Sequence, residues 1–144
     1  EVVMYLAKIK AEQVAHEHPE AVVIGADTVV VLDGEIMGKP KDHADCIRMI
    51  SALSGREHEV FTGVSIVANG RTDSFYQRTA VRFLKLTKEE IDWYASLDEP
   101  YDKAGAYGIQ GYGSLLIEGI SGDYFNVMGL PVSLLARHLK EIAQ

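Results

Sequence analysis

Ile24-Gly25-Ala26-Asp27-Thr28-Val29-Val30 places one carboxylate and one hydroxyl inside an otherwise apolar run, and Gly38-Lys39-Pro40 follows downstream. Burying an aspartate as an anion is costly unless a cation or hydrogen-bond donors meet it. Lys39, on the returning limb of a hairpin, is a candidate partner. A carboxylate, a hydroxyl and an ammonium on adjoining backbone suit a metal-bound phosphate. A structural Asp-Lys pair at a sheet edge fits the same residues, and the two readings stay open at this point.

The elements that must carry these groups can be read from periodicity. Apolar, β-branched residues from Val22 on both sides of Asp27 predict a strand, and Asp33-Gly34 a two-residue hairpin turn. Ahead of it, Glu1 to Ala15 predicts a helix with Val2, Leu6, Ile9 and Val14 on one face. That helix opens with no methionine, cap or strand before it, which predicts a further segment ahead of Glu1. Pro40 and Asp42 introduce a helix over His43–Leu53, whose Ala44, Ile47, Ile50 and Leu53 form one apolar face, and Gly55 is placed to close it. Cys46 reads as core filler.

Strands are predicted over 59–67 and 74–84, joined by an Asn69-Gly70 turn. Thr87 and Glu90 have capping-box spacing and start a helix to about Leu97, with Trp93 and Tyr94 packing it on the sheet. From Pro100 to Leu130 glycines are dense and mixed with Tyr and Ile, a composition of structured turns and close backbone approach rather than a linker. Ser114 to Glu118 is the next predicted strand. Asp123 and Asn126 read as turn residues, and Gly129-Leu130-Pro131 opens a last helix with Leu134, Leu135 and Leu139 inward. Helices interleaved with hairpins predict an α/β fold with a mixed, largely antiparallel twisted sheet flanked by helices, as one domain over residues 1–144.

Composition narrows the function classes. The 144 residues are 47% hydrophobic, enough for a core, and no apolar run reaches the roughly 20 residues of a membrane span. A single cysteine fits a reducing compartment, so a cytoplasmic protein is expected. A formal charge of −7 argues against a nucleic-acid polymer as partner, though not against one nucleotide held by a few lysines and a divalent ion. The five histidines show no ligand spacing on a shared helix face, so zinc chemistry is not expected, and they read as surface or fold residues. Neither a Gly-x-Ser-x-Gly elbow nor a Gly-x-x-x-x-Gly-Lys-Ser/Thr phosphate loop occurs.

Across the whole chain the motifs follow one order. They are Leu6-Ala7-Lys8-Ile9-Lys10-Ala11, Gly25-Ala26-Asp27-Thr28, Gly38-Lys39-Pro40, Leu53-Ser54-Gly55-Arg56 and Phe61-Thr62-Gly63-Val64. They continue in the run from Asp102-Lys103-Ala104-Gly105 to Gln110-Gly111, and from Gly122-Asp123-Tyr124 to Leu130-Pro131. In this order they resemble the Maf family of nucleotide pyrophosphatases, within the inosine-triphosphatase-like superfamily. The resemblance implies hydrolysis of a nucleoside triphosphate to the monophosphate and pyrophosphate with a divalent metal, magnesium or manganese. It implies a catalytic role for Asp27, as proton acceptor or metal ligand, and phosphate-binding roles for Lys10, Lys39 and Lys103. Thr28 and Gln110 fall at the family's specificity positions, where this pairing goes with dTTP and UTP, and modified pyrimidine triphosphates join the expected substrates. The branch acting on methylated GTP instead carries Gln after the aspartate and Glu near the second position. A catalytically silent nucleotide-binding domain tied to cell-division control is the alternative class. A homodimer is implied by the resemblance alone. The family's opening strand and Ser-x-Ser-Pro-Arg-Arg loop have no match in these residues.

Overall fold

Small residues decide where the first helix packs. In the computed structural model, which describes residues 2–142, helix α1 spans Val2–Glu17 and strand β1 spans Val23–Leu32. A β-carbon added at Gly25 would lie 2.5 Å from the Ala7 carbonyl oxygen and 2.9 Å from the Ala11 nitrogen. One added at Gly63 would overlap the main chain of Val3. The helix thus meets the strands almost backbone to backbone, and only small side chains fit beneath it. Its buried residues are Val3, Ala7 and Ala11, while Val2, Leu6, Ile9 and Val14 are exposed. This corrects the predicted face: hydrophobicity selected Val2, Leu6, Ile9 and Val14, and the close approach of the two backbones selected Val3, Ala7 and Ala11.

β2 (Glu35–Met37) returns from β1 through Asp33-Gly34, both in the left-handed region at φ 52° and 80°. α2 (His43–Leu53) has the predicted bounds. β3 (Glu57–Ala68) and β4 (Arg71–Phe83) are joined by the Asn69-Gly70 turn, and α3 (Lys88–Ala95) starts at the predicted Thr87–Glu90 capping box. Three 3₁₀ turns follow, at Glu99–Asp102, Ala104–Ala106 and Tyr112–Leu116, before β5 (Ile117–Ser121), α4 (Tyr124–Met128) and α5 (Val132–Ile142). The five strands form one sheet in the order β2-β1-β3-β4-β5, with β1/β2 and β4/β5 antiparallel. The α/β class and the largely antiparallel sheet are as predicted.

Two elements differ from the reading. Residues 114–116 are a 3₁₀ turn rather than strand, because the Ser114 amide and hydroxyl both donate to the Gly111 carbonyl, at 3.1 and 2.8 Å, and curl the chain. Asn126 lies in a short helix rather than a turn, and Asp123 immediately precedes it. Asp123 caps it by accepting from the Phe125 amide at 2.8 Å, and Gly129 closes it at φ 117°.

The chain divides into two compact units: Glu1–Thr28, Phe61–Arg78 and Asp123–Gln144 in the first, Val29–Val60 and Thr79–Gly122 in the second. In the first unit Val64, Ile66, Ala68 and Phe75 pack against Leu135 and Ile142, with Leu134 and Leu139 alongside, so α5 buries the predicted stripe. In the second, α2 packs on α3 and on the turn at Ala104–Ala106, burying Cys46, Ile50, Leu53 and Tyr94. Trp93, predicted to pack on the sheet, is instead 42% exposed and meets Tyr112 edge-on at 5.8 Å.

His58 is a fold residue of the second unit, 2% exposed and wedged edge-on between Phe83 and Tyr107. Its Nε2 lies 2.6 Å from the Tyr107 hydroxyl. Burial pulls its pKa from 6.5 down to about 4. The unfolded chain therefore takes up a proton as pH falls through 6.5, whereas the folded one resists to about 4. The stability this contributes is complete above pH 6.5 and is lost across that window, to a total of about 3 kcal/mol. Chemical-denaturation series from pH 7 to 4 should show a falling stability whose slope flattens in His58→Phe. An unchanged slope would mean that other groups set the acid limit.

Candidate functional site

Asp27 sits in β1 with its carboxylate half-buried, and Lys10 reaches it from α1: Nζ to Oδ1 is 2.7 Å. The close seating of α1 over Gly25 brings the lysine there, since Lys10 adjoins the Ala11 that touches that glycine. Lys10, not Lys39, is therefore the cation paired with Asp27. The Lys10 side chain is 57% exposed against 21% for Asp27, so the ammonium keeps donors directed to solvent. Asp27 Oδ1 is taken by Lys10; among the described residues Oδ2 has no hydrogen-bond donor.

Thr28 follows Asp27 in the strand and so projects to the other face. Its hydroxyl lies 2.9 Å from that of Thr62, which is fully buried and donates to the Asn126 carbonyl at 3.0 Å. A carbonyl only accepts, so the single Thr62 proton is committed there and Thr28 must donate to Thr62. The Thr28 oxygen then offers lone pairs to whatever approaches it. β2 pairs with β1 no further back than Val30, so Asp27 and Thr28 lie beyond that pairing.

The second unit holds Lys39, Lys103 and Gln110. Lys39 lies two residues past the end of β2, and the neighbouring Gly38 carbonyl accepts from the Gly105 amide at 3.1 Å. Lys103 Nζ is 3.2 Å from Asp102 Oδ1. The hydrogen bond and charge of Lys103 hold the Asp102 carboxyl below its usual range, and Lys39 adds to the same pull. Lys39 and Lys103 thus share one electrostatic neighbourhood. Gln110 is exposed between Gly108 and Gly111, next to the buried Ile109.

The sequence reading missed Glu99. Its carboxylate accepts from the Tyr112 amide at 2.8 Å, the Gly113 amide at 2.8 Å and the Tyr94 hydroxyl at 2.7 Å. Burial alone would raise its pKa, but the bonds from Tyr94, Gly113 and Tyr112 and the charge of Lys103 leave it lowered. A glycine-dense loop carries amides without helix or strand partners, which demands an acceptor and was the available signal. Among the described residues one cluster of imidazole and carboxylates converges: Asp73, His138 and Glu141, with His138 Nδ1 2.6 Å from Asp73. It joins β4 to α5 and does not include Asp27.

A family model described as Maf-like protein matches residues 1–142. The dTTP/UTP pyrophosphatase of Bacillus cytotoxicus is 51% identical over 141 residues, covering 98% of this chain and 74% of that protein. Proteins of the same name from Bacillus cereus (strain Q1) and Bacillus mycoides show 51% identity with the same coverage.

Proposed function

Because the chain belongs to the Maf family, we propose that it hydrolyses nucleoside triphosphates, dTTP and UTP among them, to the monophosphate and pyrophosphate. The observation that carries this reading is the Lys10–Asp27 pair at 2.7 Å, in a chain half identical to proteins named for that activity. Attack of water on the α-phosphorus needs a base within hydrogen-bond reach and cations for the departing pyrophosphate. Asp27 supplies the carboxylate. With Lys10 on one oxygen, the other can accept from a water or hold a cation. A single hard carboxylate oxygen, completed by substrate phosphates, suits magnesium or manganese, which would contribute Lewis-acid stabilisation and a more acidic water. Lys10 keeps donors for a phosphate, and Lys39 and Lys103 are assigned to phosphate through the family resemblance.

Specificity is assigned to Thr28 and Gln110. Thr28 offers an acceptor, and the Gln110 amide offers both an acceptor and donors, which suits the imide edge of uracil or thymine. The finer expectations, a cytoplasmic enzyme acting as a homodimer and accepting modified pyrimidine nucleotides, go with the same reading. Among the described residues no helix is long and apolar enough to cross a membrane.

Incubation of the purified protein with dTTP or UTP and magnesium or manganese should release pyrophosphate and the monophosphate, resolved by anion-exchange chromatography. Inorganic phosphate with a diphosphate product would overturn the bond assignment. Tight nucleotide binding without turnover would select the silent regulatory class instead.

A further inference from the structure

We propose that Glu99 is a positioning residue that holds the Gln110 loop in its base-reading form, with Tyr94 as its anchor in the core. The inference rests on the assignment of Gln110 to the base. Three donors converge on the Glu99 carboxylate: Oε1 takes the Tyr112 amide, and Oε2 takes the Gly113 amide and the Tyr94 hydroxyl. Tyr94 is fully buried on α3, so the carboxylate is tied to a rigid element rather than to another loop. The Tyr94 oxygen also receives the Gly108 amide at 3.4 Å. Amides on both sides of Gln110 are thereby linked, directly or through one phenol, to a single carboxylate.

The glycines around Gln110 show how tight this arrangement is. A β-carbon at Gly111 would overlap Glu99 Oε1, and one at Gly108 would lie 2.6 Å from Lys103 Cε. Lys103 thus lays its stem along the same loop, and its charge acts on Glu99. Gln110 is exposed between these two glycines, with the buried Ile109 as its other anchor. A long flexible amide discriminates between bases only if its backbone is held, since a loose loop lets it turn to either edge. Glu99 supplies that restraint without contacting the base.

The test compares kcat and KM for UTP and CTP, which present opposite donor and acceptor patterns at the base edge. The variants are Glu99→Gln, Gly111→Ala, Tyr94→Phe and Gln110→Ala, each checked for folding by circular dichroism. Glu99→Gln turns an acceptor into a donor facing a backbone amide. It should cost roughly tenfold in kcat/KM for UTP, mostly through KM, as expected for one or two mismatched hydrogen bonds. It should also narrow the UTP-to-CTP preference and speed amide hydrogen exchange at Tyr112 and Gly113. Gly111→Ala should reproduce the loss of preference by displacing the carboxylate. Tyr94→Phe keeps the ring and removes one donor, a milder version should Glu99→Gln fold poorly. If Gln110→Ala loses the preference while Glu99→Gln, Gly111→Ala and Tyr94→Phe all keep it, the positioning role is overturned and the Gln110 assignment stands. If Gln110→Ala also keeps it, the base-reading assignment itself fails. Equal losses for both nucleotides, confined to kcat, would mark Glu99 as merely structural.

Discussion

Asp27→Asn is expected to remove nearly all turnover while leaving the fold intact. The substitution keeps size and shape but removes the charge that meets Lys10 at 2.7 Å, and the affinity for a proton or a hard cation. Loss of a general base alone costs about 10²–10⁴-fold, and loss of a metal ligand would add to that. The pair is partly solvated, with Lys10 57% exposed, so its removal should change stability little. Stopped assays of pyrophosphate release, with thermal unfolding as the control, read both quantities. A folded variant with near-normal kcat would make Asp27 the structural half of an ion pair. Titrating the variant with manganese separates its two candidate roles: weakened metal affinity assigns it to the cation, unchanged affinity with lost turnover to the proton.

The joint exchange Thr28→Gln with Gln110→Glu should weaken use of dTTP and UTP by about ten- to a hundredfold in kcat/KM. A mismatched base contact in a desolvated site leaves polar groups unpaired, worth on the order of 1–3 kcal/mol. The structure adds a reason at Thr28. Its hydroxyl donates to Thr62, whose own hydroxyl donates to the Asn126 carbonyl, so the position offers an incoming group only an acceptor. Glutamine there would bring donors and a longer side chain to a neighbourhood already lined by Gly129, 3.7 Å from the Thr28 oxygen when given a β-carbon. The exchange should also admit GTP, and methylated GTP more strongly, because the guanine N1–H and amino group donate to a carboxylate and methylation adds positive charge. Steady-state kinetics on dTTP, UTP, GTP and methylated GTP decide the point. An unchanged ranking would show that neither residue reads the base.

Elements governed by neighbours in sequence were legible in the sequence alone. Asp42 and Gly55 bound α2 because a cap and a left-handed closing residue act within one turn. The turns at Asp33-Gly34 and Asn69-Gly70, and the Thr87–Glu90 capping box, are local in the same sense. So was the family, since its motifs keep their order and spacing along the chain. Contacts between distant segments were not legible. The buried face of α1 depended on Gly25, which lies against Ala7 and Ala11, and on Gly63, which lies against the main chain of Val3. The pairing of Asp27 with Lys10 followed from that seating, whereas sequence proximity had favoured Lys39. Glu99 looked like one acid among many until folding brought the amides of Tyr112 and Gly113 to it. Local chemistry is written in residue types at short spacing; which face of a helix is buried, and which charges meet, are decided by how closely two backbones approach.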